Sequence, residues 1–172
     1  MTTPRPPEPI HPDDIAACLA IAAALPEWFS NADGLRQMEA SLRTDRGIVI
    51  RAADGTIAGC ATLAQPFATT WEIAWMAVAP ASHRQGIGRQ MVETIVALAR
   101  EAGAQMLVVK TLSASHPSPE YAATRAFYVQ MGFLPVAEVP EHWGPENPCL
   151  IMARSLSATA STAIPVPLPH LP

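Results

Sequence analysis

Between a strand-like run ending near Val78 and a long amphipathic stretch, the chain reads Ala79-Pro80-Ala81-Ser82-His83-Arg84-Gln85-Gly86-Ile87-Gly88-Arg89. Glycines at 86 and 88 let the backbone approach a ligand closely. The first amide N–H groups of a helix have no partner within it. Together with the positive end of the helix dipole, such amides bind anions, a pyrophosphate among them. Arg84 and Arg89 add positive charge at the same place. Taken alone, a Gly-x-Gly can equally be a helix start that needs freedom to turn. The segment is no dinucleotide fingerprint, because the third glycine is missing and the strand-helix pair comes in mid-chain. No Gly-Lys-Ser/Thr follows, so it is no P-loop.

A strand has to deliver this loop and a helix has to follow it. The pattern predicts a strand over about 70–79 and a helix from Gly86 to Ala102. That helix has Ile87, Met91, Ile95, Leu98, Ala99 and Ala102 on one face, and Gly103 at its end. Upstream, Pro4 to Pro9 reads as an extended leader or edge strand. Asp13 and Asp14 begin a helix with Ile15, Cys18, Leu19 and Ala22, which Pro26 ends. Asn31 caps a second helix with Leu35, Met38 and Leu42. Residues 47–52 and 56–65 read as strands joined at Asp54-Gly55, a hairpin signal. Downstream comes a strand over 105–111, whose Met-Leu-Val-Val run reads as buried on both faces. Ser118-Pro119-Glu120 then starts a helix that ends at Gly132. Strands over 133–139 and 149–154 complete a mixed α/β layer. From Ser155 to Pro172 small residues and then alternating prolines read as a mobile extension.

A chain of 172 residues fits one domain. Its composition, 49% hydrophobic and 15% charged, argues for a packed body and against disorder. A formal net charge of -4 supplies no basic face for nucleic acid, but is compatible with a cationic substrate. Cys18, Cys60 and Cys149 form no Cys-x-x-Cys pair and share no ligand spacing with histidine. Neither a metal site nor a disulfide framework is expected, and a reducing cytoplasm suits the chain. Met1 to Pro9 does not read as a signal peptide, and no apolar run is long enough to span a membrane.

The residues Trp71-Glu72-Ile73-Ala74-Trp75-Met76-Ala77-Val78, Pro80 and Arg84-Gln85-Gly86-Ile87-Gly88-Arg89 resemble the core motif of the GNAT acetyltransferase superfamily. The resemblance runs from about residue 8 to residue 154. It implies the GNAT fold, a central mixed and mostly antiparallel sheet of six to seven strands flanked by about four helices. The domain would occupy residues 1–154, with a Pro/Ser/Ala-rich tail over 155–172. It also implies acetyl-coenzyme A (acetyl-CoA) as co-substrate and no metal. Backbone amides of His83, Arg84, Gln85, Gly86, Ile87, Gly88 and Arg89 would hold the pyrophosphate. Ala77 and Val78, at the end of the preceding strand, would meet the pantetheine arm, and the Val78 N–H is a candidate oxyanion donor. His83 departs from the Gln/Arg that opens the family's Gln/Arg-x-x-Gly-x-Gly/Ala pattern, at little cost if backbone amides do the binding.

A second stretch, Thr124-Arg125-Ala126-Phe127-Tyr128-Val129-Gln130-Met131-Gly132-Phe133, resembles the family's Phe-Tyr-x-x-x-Gly-Phe helix end. By that resemblance Tyr128 protonates the departing thiolate, and Arg125 lies on the coenzyme side. Helical spacing puts Ala123, Phe127 and Met131 on a core face and Tyr121, Thr124, Arg125 and Tyr128 on another. The alternative for Tyr128 is a phenol held for packing. Tyr121 and Thr124 stand where the family has Asn and Ala. Aminolysis of a thioester also needs a neutral amine. Glu72, beside Trp71 and Trp75, is the candidate base, in apolar surroundings that would raise its pKa. It matches the glutamate of the Glu-Ile-x-x-x-Ala sequence in histone-acetylating members. Strand alternation would set Glu72, Met76 and Val78 on one face. The alternative is a glutamate that is merely paired or solvated.

The resemblance places the acceptor between the first helices, with Trp28 and Phe29, and the last loop, with Glu141, Trp143 and Glu146. Aromatic faces beside carboxylates suit an ammonium group, although the loop can equally be a rigid proline turn with a packed tryptophan. His116 reads as a bystander. The sequence thus points to direct N-acetylation of a small-molecule or peptide amine, with Glu72 as base, Tyr128 as acid and no acyl-enzyme. A transferase using a longer acyl-CoA and a non-catalytic acyl-CoA sensor or interaction module stay open, as do the acceptor and the choice of monomer or homodimer.

Overall fold

The structure, a computed structural model, describes residues 5–157. Its elements are β1 (Glu8–Pro9), α1 (Ile15–Ala23), α2 (Pro26–Phe29), α3 (Ala32–Thr44), β2 (Arg46–Arg51), β3 (Ile57–Phe67), β4 (Thr70–Val78), α4 (Ile87–Glu101), β5 (Met106–Leu112), α5 (Pro119–Gln130), β6 (Leu134–Val139) and β7 (Cys149–Ser155). The strands form one sheet in the order β1-β2-β3-β4-β5-β7-β6. Neighbours are antiparallel except β4 and β5. This is the mixed, mostly antiparallel α/β layer that the sequence predicts.

Alternation along the strands builds two cores. Val49, Cys60 and Ala77 face α1 and α3, where Cys18, Ile21, Met38 and Leu42 pack on them. Ile48, Ile50, Ile73, Leu107 and Val109 face α4 and α5, where Met91, Ile95, Tyr128 and Phe133 pack on them. Local signals set the element ends. Asn31 accepts from the Asp33 N–H at 2.8 Å at the start of α3, and Ser118 accepts from Tyr121 N–H at 3.2 Å at the start of α5. Gly55, at φ 89, makes the β2–β3 turn.

Several expectations change. Pro26 closes α1 but also opens α2, because proline fits a first helical turn where its missing N–H is not needed. The Met-Leu-Val-Val run of β5 alternates: Leu107 and Val109 are buried, Val108 is half-buried and Met106 is exposed. Leu156, just past β7, is buried and its N–H bonds Gln105 O at 2.8 Å, so core packing continues beyond residue 154. The three cysteines are free thiols buried in the protein. Residues 158–172 of the C-terminal extension lie outside the described residues. Among the described residues no helix is long and apolar enough to cross a membrane.

Candidate active site

The site begins with a flaw in the sheet. β4 and β5 pair from Thr70–Met106 to Ile73–Val109 and no further. Beyond that point β4 runs on to Val78 against β3, and β5 runs on to Leu112 against β7. Two neighbouring strands thus part company while each keeps its other partner, which opens a split in the sheet. The β3–β4 register decides what faces it. Ala79 N–H donates to Ala58 O at 2.9 Å, which makes 58–79 and 60–77 the hydrogen-bonded pairs. The N–H and C=O groups of Met76 and Val78 therefore point away from β3 and into the split. Val78 is one of the two residues expected on the arm; Ala77, the other, is turned away from the split, its backbone bonded to Cys60 and its side chain buried under α1 and α3. Met76, two residues nearer Glu72, presents a second amide that the pattern along β4 alone does not reveal.

A bulge resets the side chains. Thr62 pairs with Trp75 but Leu63 with Ile73, leaving Ala74 as an extra residue on β4. Before it, Trp71 and Ile73 face α4 and α5. After it, Met76 and Val78 face that side, and Trp75 and Ala77 face α1 and α3. Glu72 shares the latter side and not that of Met76 and Val78, contrary to simple alternation. Its surroundings are not the expected apolar wall either. Trp71 points through the opposite face, with the Arg46 guanidinium 5.5 Å above its ring. Lys110 Nζ donates to both Glu72 oxygens, at 2.8 and 3.1 Å. The ion pair bridges the root of the split.

At the other end of β4 the loop and α4 form a cradle. Gly86, at φ 84, caps α4 without a side-chain bond, and the first turn of the helix carries no acidic residue. The amides of Ile87, Gly88 and Arg89 are thus free to meet an anion. Ile87 contributes backbone alone, since its side chain is in the core. Arg84, itself at φ 60, is exposed, and Arg89 lies 3.8 Å from Glu93. Two cations at the positive end of a helix oppose its dipole and suit an anionic ligand. His83 Nε2 donates to Val78 O at 2.8 Å, and Gln85 Nε2 donates to Ala81 O at 2.8 Å, so both side chains hold the loop itself. A Cβ on Gly88 would lie 3.3 Å from Phe127 Cζ, which ties this glycine to the close approach of α5.

Tyr128 is not on a face apart from the core. It is buried with Met131, and its ring lies edge-on to Phe127 and Phe133, with centroids at 5.3 and 5.4 Å. The turn at Gly132 folds Phe133 back under it. Burial pushes the Tyr128 phenol well above its ordinary pKa, so it stays protonated. Among the described residues the buried side-chain polar atoms without a partner are Trp71 Nε1 and Thr111 Oγ1, and Tyr128 Oη is not one of them. Arg125 Nη1 donates to Leu112 O and Ser113 O at 2.8 and 3.0 Å, and so fastens α5 to the tip of β5.

On the acceptor side, Trp28 Nε1 donates to Thr124 Oγ1 at 3.1 Å, and Tyr121 Oη donates to Trp28 O at 3.3 Å. These bonds latch α2 onto α5, using the two positions where α5 departs from the expected motif. Phe29 packs on Trp75, with centroids at 6.3 Å. Trp143 is 46% exposed and packs on His142, and Glu146 is exposed. His116 Nδ1 accepts from Ser118 N–H at 3.2 Å, a local bond in its own loop.

Residues 16–133 match the Acetyltransferase (GNAT) family. The chain belongs to that family. This GNAT protein also shares its fold with solved structures of low identity. A GNAT-family protein from Desulfovibrio desulfuricans superposes with a TM-score of 0.73 at 20% identity, over 91% of this chain and 99% of that one. The ribosomal-protein-S18-alanine N-acetyltransferase from Escherichia coli gives 0.70 at 19% identity, over 94% and 98%. The yncA protein from Salmonella typhimurium, solved with its cofactor acetyl-CoA, gives 0.69 at 20% identity, over 93% and 98%. No curated protein matches the sequence.

Proposed function

We propose that this GNAT protein transfers an acetyl group from acetyl-CoA directly to a primary amine, with Glu72 as general base and Tyr128 as general acid. The observation that carries the reading is the split beyond Ile73–Val109, which exposes the Met76 and Val78 amides in line with the cradle at the start of α4. Amides along one edge fit an extended amide-containing arm such as pantetheine, and the cradle fits its pyrophosphate. Arg84 and Arg89 add charge of the right sign. The acetyl-CoA bound in the yncA structure supports the same choice of co-substrate.

Glu72 takes one proton from the acceptor's ammonium, and the freed lone pair forms the N–C bond. The Met76 or Val78 N–H holds the carbonyl oxygen as it gains charge. Tyr128 gives its proton to the sulfur as the C–S bond breaks, and the phenolate recovers a proton from the amide nitrogen. Glu72 returns the first proton to solvent. The net products are the N-acetyl amine, free coenzyme A and one proton.

The cradle is tested by Gly88→Glu with Gly88→Ala as its control. Both variants carry the Cβ that meets Phe127, but only glutamate brings negative charge to the helix amides. We expect at least about tenfold weaker acetyl-CoA binding for Gly88→Glu, and most of the affinity retained in Gly88→Ala, by calorimetry. Equal affinity in both variants and the parent protein would remove the cradle from the account.

A further inference from the structure

We infer that the acceptor is an amino acid, a primary amine carrying its own carboxylate, which the protein seats by exchange with the Glu72–Lys110 ion pair. The inference rests on the acetyl-transfer reading above and adds the class of acceptor. Glu72 is the residue before the last β4–β5 paired position, and Lys110 the residue after it. Both project toward the side that carries Trp75, with Phe29 against that ring. Their side chains are 16% and 29% exposed, so neither is sealed off.

Charge decides what the site accepts. In the free protein one ammonium, Lys110 Nζ, occupies both oxygens of the candidate base. An amine arriving as a bare cation would have to take Glu72 from Lys110 and remain beside that second positive charge. A polyamine would bring still more of them. An amino acid brings one charge of each sign. Its carboxylate takes Lys110, its ammonium takes Glu72, and one ion pair becomes two with no charge left unpaired. The exchange also explains how a glutamate engaged in the resting protein becomes free to accept the proton: the substrate releases it. The aromatic rings of Trp75 and Phe29 on the same side suit an amino acid with an apolar side chain.

The test compares phenylalanine and methionine with their carboxamides, and both with spermidine, by thiol release at saturating acetyl-CoA. In the parent protein kcat/KM should favour the free amino acids over the carboxamides by tenfold to about a hundredfold, the range of a charge-assisted bond. Lys110→Met should erase that preference, Lys110→Arg should restore much of it, and neither should alter acetyl-CoA affinity. Carboxamides or spermidine used as well as amino acids would overturn the inference, as would a preference that survives in Lys110→Met. A parent protein that fails to bind acetyl-CoA would instead overturn the acetyl-transfer reading itself.

Discussion

Replacing Tyr128 by phenylalanine should lower kcat by about 10²-fold or more while acetyl-CoA affinity stays near that of the parent protein. The two side chains differ by one oxygen, and the ring contacts with Phe127 and Phe133 survive. Stability should therefore be conserved, with the loss falling on the step in which sulfur departs. Burial raises the phenol's pKa, and the protonated form is the one that donates. The sign for pH dependence follows. The phenol keeps its proton, and stays neutral, on the alkaline side, and kcat should hold past about pH 10, the ordinary phenol value. An alkaline decline in the parent protein that disappears in Tyr128→Phe would mean that the phenol ionises within that range and is not shielded as the buried ring implies. Full turnover in Tyr128→Phe would move the proton donor elsewhere.

The second large effect belongs to Glu72→Gln. Glutamine keeps an oxygen for Lys110 and nearly the same shape, but it cannot take a proton. Activity near neutrality should fall by about 10²-fold, as for the loss of a positioned base. It should recover in part at alkaline pH, where free amine is abundant without help. In the parent protein kcat/KM should rise with pH and then level off. The Lys110 contact makes the competing outcome concrete. If the pair only ties β4 to β5, Glu72→Gln should lower the melting temperature and depress activity by the same factor at every pH. A profile with the parent's shape and height would show that the amine loses its proton by another route.

Much of this was legible in the chain because local chemistry sets it. Asn31 and Ser118 cap the helices they were expected to cap, and Asp54-Gly55 turns the hairpin. The glycine loop before α4 could be read as a cradle because helix ends and glycines act locally. What escaped depends on strands meeting. Counting by twos along β4 cannot detect that Ala74 is an extra residue, since the bulge exists only against β3, and the error turned Glu72 to the wrong face. Lys110 lies 38 residues from Glu72 and is brought beside it by the parallel pairing of β4 with β5. A pattern confined to β4 could not contain it. Tyr128 was misplaced for a related reason. Helical spacing assigned it a face of its own, but the chain turns at Gly132 and supplies a second wall, Phe133, that the helix alone does not possess. Trp28 and Thr124 likewise meet only because α2 folds over α5, so two departures from the family motif became a latch whose purpose the sequence did not disclose.

Direct transfer of acetyl from acetyl-CoA to an amine is tested by one reaction. Isotopically labelled acetyl-CoA, the purified protein and a mixed panel of amino acids, peptides, polyamines, aminoglycosides and arylamines are incubated with no added metal, and thiol release is read beside mass spectra of products and protein. At least one amine should gain the labelled acetyl on nitrogen in step with free thiol, with no label left on the protein. Tight coenzyme binding with no thiol released on any amine would contradict such transfer and mark the chain as an acyl-CoA-binding module. Label held covalently on the protein, and passed from there to the amine, would contradict the direct attack.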